Sequence, residues 1–302
     1  MRPALPLVAT AALAGLALAG CATRSADVRP LATPAAAFAG WSCERIVEEQ
    51  DSVQQRAAET AWAVDERAGN NVIALGVGLT VFWPALLAMR PDGPEAADLA
   101  RLRGRYEALQ AAAAQHGCPP PDSTLPPERA ARLPVAVGDR LVYEERANGR
   151  STEWVLKVAA LRRDEFEFRL EQPAGAAWRQ DPAGNVTAAP PGALRWQHLL
   201  LHEPVLGQVL AGEIDVVGDP LARGRVRGQV VAVGPQLLAE RHFDVAVVEL
   251  FGDVLRGDVS TRLDGAIAVD RASGVLLRLD LRSGAPAFNL QRRLARVEPA
   301  AP

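Results

Sequence analysis

The apolar positions of the first 120 residues follow a helical period in two separate stretches. In residues 44–67 they recur at alternating intervals of four and three, and the same spacing returns in residues 94–116. Pro94 suits a helix start and Gly117 a helix end. The seam positions are Ile46, Gln50, Val53, Ala57, Thr60 and Val64, then Leu99, Leu102, Tyr106, Leu109 and Ala113. The pattern predicts two helices that pack as an antiparallel hairpin, with coiled-coil spacing.

An apolar run from Val72 to Met89 connects the two stretches and contains no charged residue. As a helix it would span roughly 27 Å, close to the ~30 Å hydrocarbon core of a bilayer. Trp83-Pro84 would end or kink such a helix. Three interpretations follow: a segment buried in the protein or an oligomer, a re-entrant hairpin in one leaflet, or a transmembrane span. We favour a bent apolar tip, and its predicted membrane or partner contacts are Val72, Leu75, Leu79, Phe82, Trp83 and Leu86.

From residue 139 onward the apolar period changes to two, which is typical of strands with one buried face. Asn148-Gly149 separates two alternating runs and is a strong hairpin signal. Further runs of this kind cover 154–158, 166–170, 226–233, 243–251, 260–269, 275–281 and 288–297. The predicted fold class is α+β: a helical hairpin followed by an antiparallel β meander that curls into a half-barrel or open barrel.

The first residues have the form of an export signal. Met1 and Arg2 precede a short apolar run that ends in Leu18-Ala19-Gly20-Cys21. This tetrapeptide resembles the lipobox of bacterial lipoproteins. The resemblance implies a signal peptide over 1–20, cleavage before Cys21 and a diacylglyceryl and palmitate anchor on that residue. Ala22 in place of aspartate favours an outer-membrane lipoprotein that faces the periplasm, with the inner membrane as the alternative.

Two cysteines remain once Cys21 is assigned to lipid. Cys43 and Cys118 stand at the outer ends of the predicted helices, and an oxidising compartment favours a disulfide between them. Such a bond would close the open end of the hairpin and add on the order of 4 kcal/mol. It also argues against a transmembrane span, because a single crossing would place the two cysteines on opposite sides of a membrane.

Composition shifts divide the mature chain into four parts. The predicted parts are a flexible tether over 21–40, the helical hairpin domain over 41–118, a Pro-rich extended linker over 119–134 and the antiparallel β domain over 135–298. The hairpin carries Ser-Cys-Glu at 42–44, the strings GVGL and VFWPAL, then RLRGRYEAL and a closing Cys118. This pattern resembles a set of uncharacterised proteobacterial lipoproteins. The β domain is similar in architecture to the half-barrels of periplasmic lipoprotein carriers.

Composition narrows the classes of function. The chain has 302 residues, is 49% apolar and carries a net charge of −3, so a folded protein is expected and a nucleic-acid partner is not. Phosphate-binding, dinucleotide-binding and serine-hydrolase motifs are missing from the sequence, so we predict neither a cofactor nor catalysis.

Two clusters remain as candidate sites. His198, His202 and Glu203 offer ligands four and five residues apart, and on a helix the two histidines would share a face and could hold zinc, although packing explains them better and we predict no metal. Arg223, Arg225 and Arg227 alternate along a predicted strand and could bind a phosphate or carboxylate, although a solvated strand face explains them better.

Three hypotheses for the function follow. The leading one is a lipid-anchored, non-catalytic envelope protein that contacts the membrane and another envelope protein or a second copy of itself. The second is a lipid or lipoprotein carrier that uses a concave β face. The third is an envelope enzyme whose site is assembled from distant residues.

Overall fold

The computed structural model describes residues 23–80, 93–119, 124–175 and 177–300, and in residues 69–80 it describes the backbone alone. The chain forms two compact units that divide between Pro120 and Pro121. The first contains the two long helices, and the second contains the strands and a short helix. The predicted α+β fold class, with helices first and an antiparallel meander after them, is confirmed.

The helical unit consists of two antiparallel helices, α1 (Cys43–Thr80) and α2 (Pro94–His116). Cys43 and Cys118 meet at one end, and Arg67 pairs with Glu95 at 2.6 Å farther along. Helix α1 is longer than the predicted stretch, because the apolar run from Val72 joins it as far as Thr80 instead of forming a separate connection.

The predicted seam is the core of this unit. The side chains at Ile46, Val53, Val64, Leu99 and Leu109 are each at most 4% exposed. The two helices therefore bury the stripe that the spacing predicted.

The flexible tether predicted for 21–40 is corrected for residues 23–40. This segment contains two short 3-10 turns, Ser25–Asp27 and Ala35–Phe38, and lies along the helices. Val28 and Phe38 are 8% and 2% exposed and pack in the helical core. We call residues 25–41 the strap. Two isolated apolar residues leave no period in a sequence, so only the packing shows that the segment is ordered.

The extended linker predicted for 119–134 is corrected where the structure describes it. Leu125 is 4% exposed and belongs to the core of the β unit, and a short helix, α3, follows at Pro127–Ala131. Pro127 occupies the first turn of that helix, where its missing N–H costs nothing. This part of the chain is packed on the β unit.

The β unit is one twelve-stranded antiparallel sheet that is nearly closed into a barrel. Its spatial order is β5-β4-β3-β2-β1-β12-β11-β10-β9-β8-β7-β6, so every ladder joins strands that are consecutive in the chain, except that β1 pairs with β12. The strands are β1 (Arg140–Ala147), β2 (Arg150–Leu161), β3 (Phe166–Gln172), β4 (Ala177–Gln180), β5 (Val186–Ala188), β6 (Leu194–Gln197), β7 (Val209–Val216), β8 (Asp219–Leu238), β9 (Arg241–Arg256), β10 (Val259–Asp270), β11 (Leu276–Ser283) and β12 (Leu290–Glu298).

The two edge strands, β5 and β6, are consecutive in the chain but share no ladder. Side chains bridge them instead. Trp196 donates its indole N–H to the carbonyl of Gly184 at 2.9 Å, and Asn185 Oδ1 accepts the backbone N–H groups of Leu199 and Leu200 at 3.0 Å each. Buried side-chain hydrogen bonds thus close the barrel where backbone bonds do not.

The predicted turn between β10 and β11 is also tied down by a buried polar side chain. Asp270 accepts hydrogen bonds from the Ser273 hydroxyl at 2.6 Å, the Ser273 N–H at 2.8 Å and the Asp244 N–H at 2.9 Å. Its carboxyl is 1% exposed, and burial raises its pKa above the ordinary value despite these bonds. The side-chain amide of Gln180 donates hydrogen bonds to the carbonyls of Ser273 and Gly274 in this turn.

The raised pKa of Asp270 predicts the sign of a pH effect. The folded chain holds this proton more tightly than the unfolded chain, whose Asp pKa is about 3.9. The stability contributed by Asp270 is therefore fully present below that value and is lost as the pH rises through the folded pKa. Relative to Asp270→Asn, the wild type should lose free energy of unfolding from about pH 4 upward. Urea unfolding at several pH values measures this, with the variant of an exposed carboxylate, Asp264→Asn, as the control. A wild type that becomes more stable relative to Asp270→Asn as the pH rises would contradict the prediction.

Gly104→Ala should destabilise the helical unit, although alanine normally favours a helix by about 1 kcal/mol. A Cβ at this position of α2 would lie 1.6 Å from the carbonyl oxygen of Leu31 in the strap. We expect a net loss on the order of 1–3 kcal/mol in urea unfolding. Ala111→Gly, at an exposed position of the same helix, measures the propensity term alone. A more stable Gly104→Ala variant would show that the strap does not pack there.

Candidate functional site

Several predicted contact residues lie outside the described part of the chain. Cys21, Phe82, Trp83 and Leu86 are not described, and neither are the side chains at Val72, Leu75 and Leu79. Among the helices that the structure describes, none is both long and apolar enough to cross a bilayer.

The predicted disulfide is present between Cys43 and Cys118, with 5.4 Å between their Cα atoms. It joins the first residue of α1 to Cys118, which lies two residues past the end of α2. Nearer the other end, Arg67 and Glu95 form an ion pair of 2.6 Å. The chain that leaves the hairpin after Arg67 therefore returns to the same level by Glu95.

The three arginines of the candidate anion contact lie on β8 and face outward. Arg223, Arg225 and Arg227 are exposed, and they alternate with buried Ala222 and Val226 and with half-buried Gly224. The strand rise puts neighbouring members of this row about 7 Å apart. In the part of the chain that is described, the structure assigns no ion pair to any of the three.

Their neighbours differ along the row. Arg225 stands between Glu213 on β7 and Asp253 on β9, so carboxylates flank it on both sides. Arg227 stands beside Phe251, which is 39% exposed.

Arg223 also has a carboxylate next to it, but that group is already engaged. Arg223 pairs in register with Asp215, which Arg195 holds through two hydrogen bonds of 2.9 Å. On its other side stands Leu255, which is 38% exposed. The two ends of the row therefore each combine an unneutralised guanidinium with an exposed apolar side chain.

A groove of about 990 Å³ opens on the same outward face. Small residues of β10, Ala266 and Ala268, form part of its floor, and Phe251 lies on one side. Its rim is charged and internally paired: Arg278 and Arg282 both approach Asp280, at 3.2 and 3.7 Å. The lining of this outward groove is amphipathic.

The inward face of the sheet carries one buried ion pair. Arg292 on β12 donates two hydrogen bonds to Glu145 on β1, at 2.8 and 2.5 Å, and the guanidinium is 3% exposed. The same guanidinium lies 4.1 Å from the ring centroid of Trp154 and 5.8 Å from that of Trp178. Sequence reasoning missed this pair. Its signal was a charge in the apolar phase of each strand, after Leu141 and Tyr143 on β1 and between Leu290 and Leu294 on β12.

The interior beside this pair is packed. Burial raises the pKa of the Tyr143 hydroxyl well above its ordinary value, and the positive charge of Arg292 opposes the shift. The void that these side chains line has a volume of only about 10 Å³. An acyl chain does not fit there.

The zinc hypothesis fails on local structure. His198 follows strand β6 with a φ of 59°, and residues 198–203 form bends instead of a helix. His198, His202 and Glu203 therefore do not share a helix face. Burial lowers the pKa of His198, and the charge of Glu213 opposes that effect.

Comparison with known proteins adds little. No protein-family model and no curated protein matches the chain. Among solved structures, a protein with a YmcC-like fold from Bacteroides fragilis covers 55% of this chain and 98% of its own, with 11% identity and a TM-score of 0.34. The hypothetical lipoprotein YmcC from Escherichia coli covers 64% of this chain and 97% of its own, with 9% identity and a TM-score of 0.33.

Arg292→Met should be among the most damaging substitutions in the β unit. It leaves the Glu145 carboxylate buried without its partner, which costs about 3–5 kcal/mol. Urea unfolding of the single variants and of Arg292→Met/Glu145→Met measures the coupling, and the double variant should cost much less than the sum. The neighbouring Arg293→Met, which breaks an exposed pair with Glu144, should cost far less, because solvent screens that pair. Equal losses for the two arginines would refute the buried-pair argument.

Proposed function

We propose that the protein is a lipid-anchored cell-envelope protein that works by binding and not by catalysis. The lipobox at 18–21 supports the anchor on Cys21, and the outer membrane, facing the periplasm, is the location that Ala22 favours. The partners in this proposal are the bilayer and a second envelope protein or another copy of this chain. The packed interior beside Arg292 favours this function over a lipid carrier.

For the β unit, the proposal rests on the outward face of β8. Arg223 and Arg227 present positive charge beside exposed Leu255 and Phe251. Guanidinium groups suit phosphates, and side chains such as Phe and Leu bury favourably at a lipid interface. We assign this face to the phosphate-bearing headgroups of anionic lipids, with Arg225 contributing less because carboxylates flank it.

The anchor makes such a weak contact effective. Each arginine near an anionic bilayer contributes only about 1 kcal/mol, so two or three of them bind poorly from free solution. A protein already tethered to that bilayer experiences a local concentration in the millimolar range. The lipid anchor and the arginine face therefore support each other.

The arginine face predicts salt-sensitive binding to anionic vesicles. Mature chain with Cys21→Ser, which isolates the face from the anchor, should float with phosphatidylglycerol vesicles at low salt and not with phosphatidylcholine vesicles. Arg223→Gln/Arg225→Gln/Arg227→Gln should weaken this binding by about tenfold or more.

A triple variant on the same sheet is the matched control. Arg262→Gln/Arg278→Gln/Arg282→Gln removes the same charge from exposed arginines that already have carboxylate partners. It should leave binding nearly unchanged. Equal weakening by both triple variants would show that only net charge matters and would overturn the assignment of the face.

A further inference from the structure

The strap has a defined direction along the helical unit. At its start, the backbone N–H and hydroxyl of Ser25 donate to the Asp65 carboxylate at 2.7 and 2.6 Å. At its end, Phe38 packs with Ile46 and Leu109, close to the disulfide. The strap thus runs antiparallel to α1, and the chain upstream of Ser25 leaves the unit on the side away from the disulfide.

Backbone contacts hold the strap in this place. The Leu31 N–H donates to the carbonyl of Ala100 at 2.8 Å, and Arg103 donates to the carbonyl of Val28 at 2.8 Å. Gly104 permits the close approach, because any side chain there would collide with Leu31. The strap therefore cannot slide along the helices without breaking these hydrogen bonds.

Ser25 lies four positions after Cys21 in the chain, which is a reach of at most about 14 Å. Along α1, about 10 Å separates Asp65 from Val72, where the apolar run begins. Cys21 is therefore within reach of the level at which the polar Asn70-Asn71 gives way to apolar sequence.

We propose that the strap holds the acylated Cys21 beside the apolar end of α1, so that the acyl chains and residues 72–80 enter the same leaflet of one membrane. This inference rests on the lipid anchor of the proposed function. It identifies the partner of the apolar end of α1 as the lipid around the anchor. The disulfide end of the helical unit then points away from the bilayer. The return of the chain from Arg67 to Glu95 agrees with entry and exit on one side.

Depth measurements on the acylated full chain in vesicles test the proposal. With Cys43 and Cys118 bonded and Cys21 acylated, Leu75→Cys supplies a single thiol for an environment-sensitive fluorophore, and Leu79→Cys is a second position. Ala111→Cys, exposed on α2 toward the disulfide, is the matched control. We expect nitroxide-labelled lipid to quench positions 75 and 79 several times more strongly than position 111, and iodide in the buffer to do the reverse.

Lengthening the segment between Cys21 and the strap separates the role of the strap from that of the anchor. A flexible Gly-Ser insert between Ala22 and Thr23 leaves the acyl group and α1 unchanged but lowers the effective concentration of the apolar end at the membrane. Quenching by lipid at position 75 should fall. Equal quenching with and without the insert would overturn the proposal.

The failures of the anchor and of the inference are distinguishable. Mass spectrometry of the purified protein shows whether Cys21 is acylated, and flotation shows whether the protein is on the vesicle. Acylated, floating protein with positions 75 and 79 in water would overturn the inference and leave the anchor standing. Protein without an acyl group that does not float would overturn both.

Discussion

The β unit depends on how its sheet closes. The meander leads each strand to its neighbour, and the pairing of β1 with β12 joins the two ends of the unit. The ladder is missing between β5 and β6, where Asn185 and Trp196 supply hydrogen bonds to the opposite backbone. These side chains are buried, so their bonds form in a low dielectric and an unpaired group would be costly. The apolar core inside the barrel requires that junction to hold.

Closure also decides which surfaces are available for function. Because the inward face is filled by apolar residues and by the Arg292–Glu145 pair, the chemistry that remains accessible is on the outward face. There the charges mostly neutralise one another across strands, as Arg195 and Asp215 do. The ends of the β8 arginine row escape this neutralisation because their neighbours are already engaged or are apolar. The contact with an anionic surface that we propose rests on that local imbalance and not on the net charge of the protein.

The helical unit is governed by a different constraint, a close approach between backbones. Gly104 lets the strap reach the carbonyl of Ala100, and the resulting hydrogen bonds fix the position at which the chain turns toward Cys21. A long flexible tether would let the folded protein explore the whole space around its anchor. Because the strap is ordered from Ser25, the lipid anchor that we propose on Cys21 would restrict the orientation of the helical unit as well as its location.

The sequence by itself determined the elements whose signal is local. The seam from Ile46 to Val64, the Asn148-Gly149 hairpin and the alternation around Leu279 all repeat with the period of their element, so they predicted the fold class and most strands. The pairing of Cys43 with Cys118 followed from counting. Tertiary structure alone decided the strap, the burial of Leu125, the short strands from β4 to β7 and the pairing of Glu145 with Arg292. These features depend on contacts between residues far apart in the chain. Such contacts are determined by how the whole core packs, and they leave no local period in the sequence.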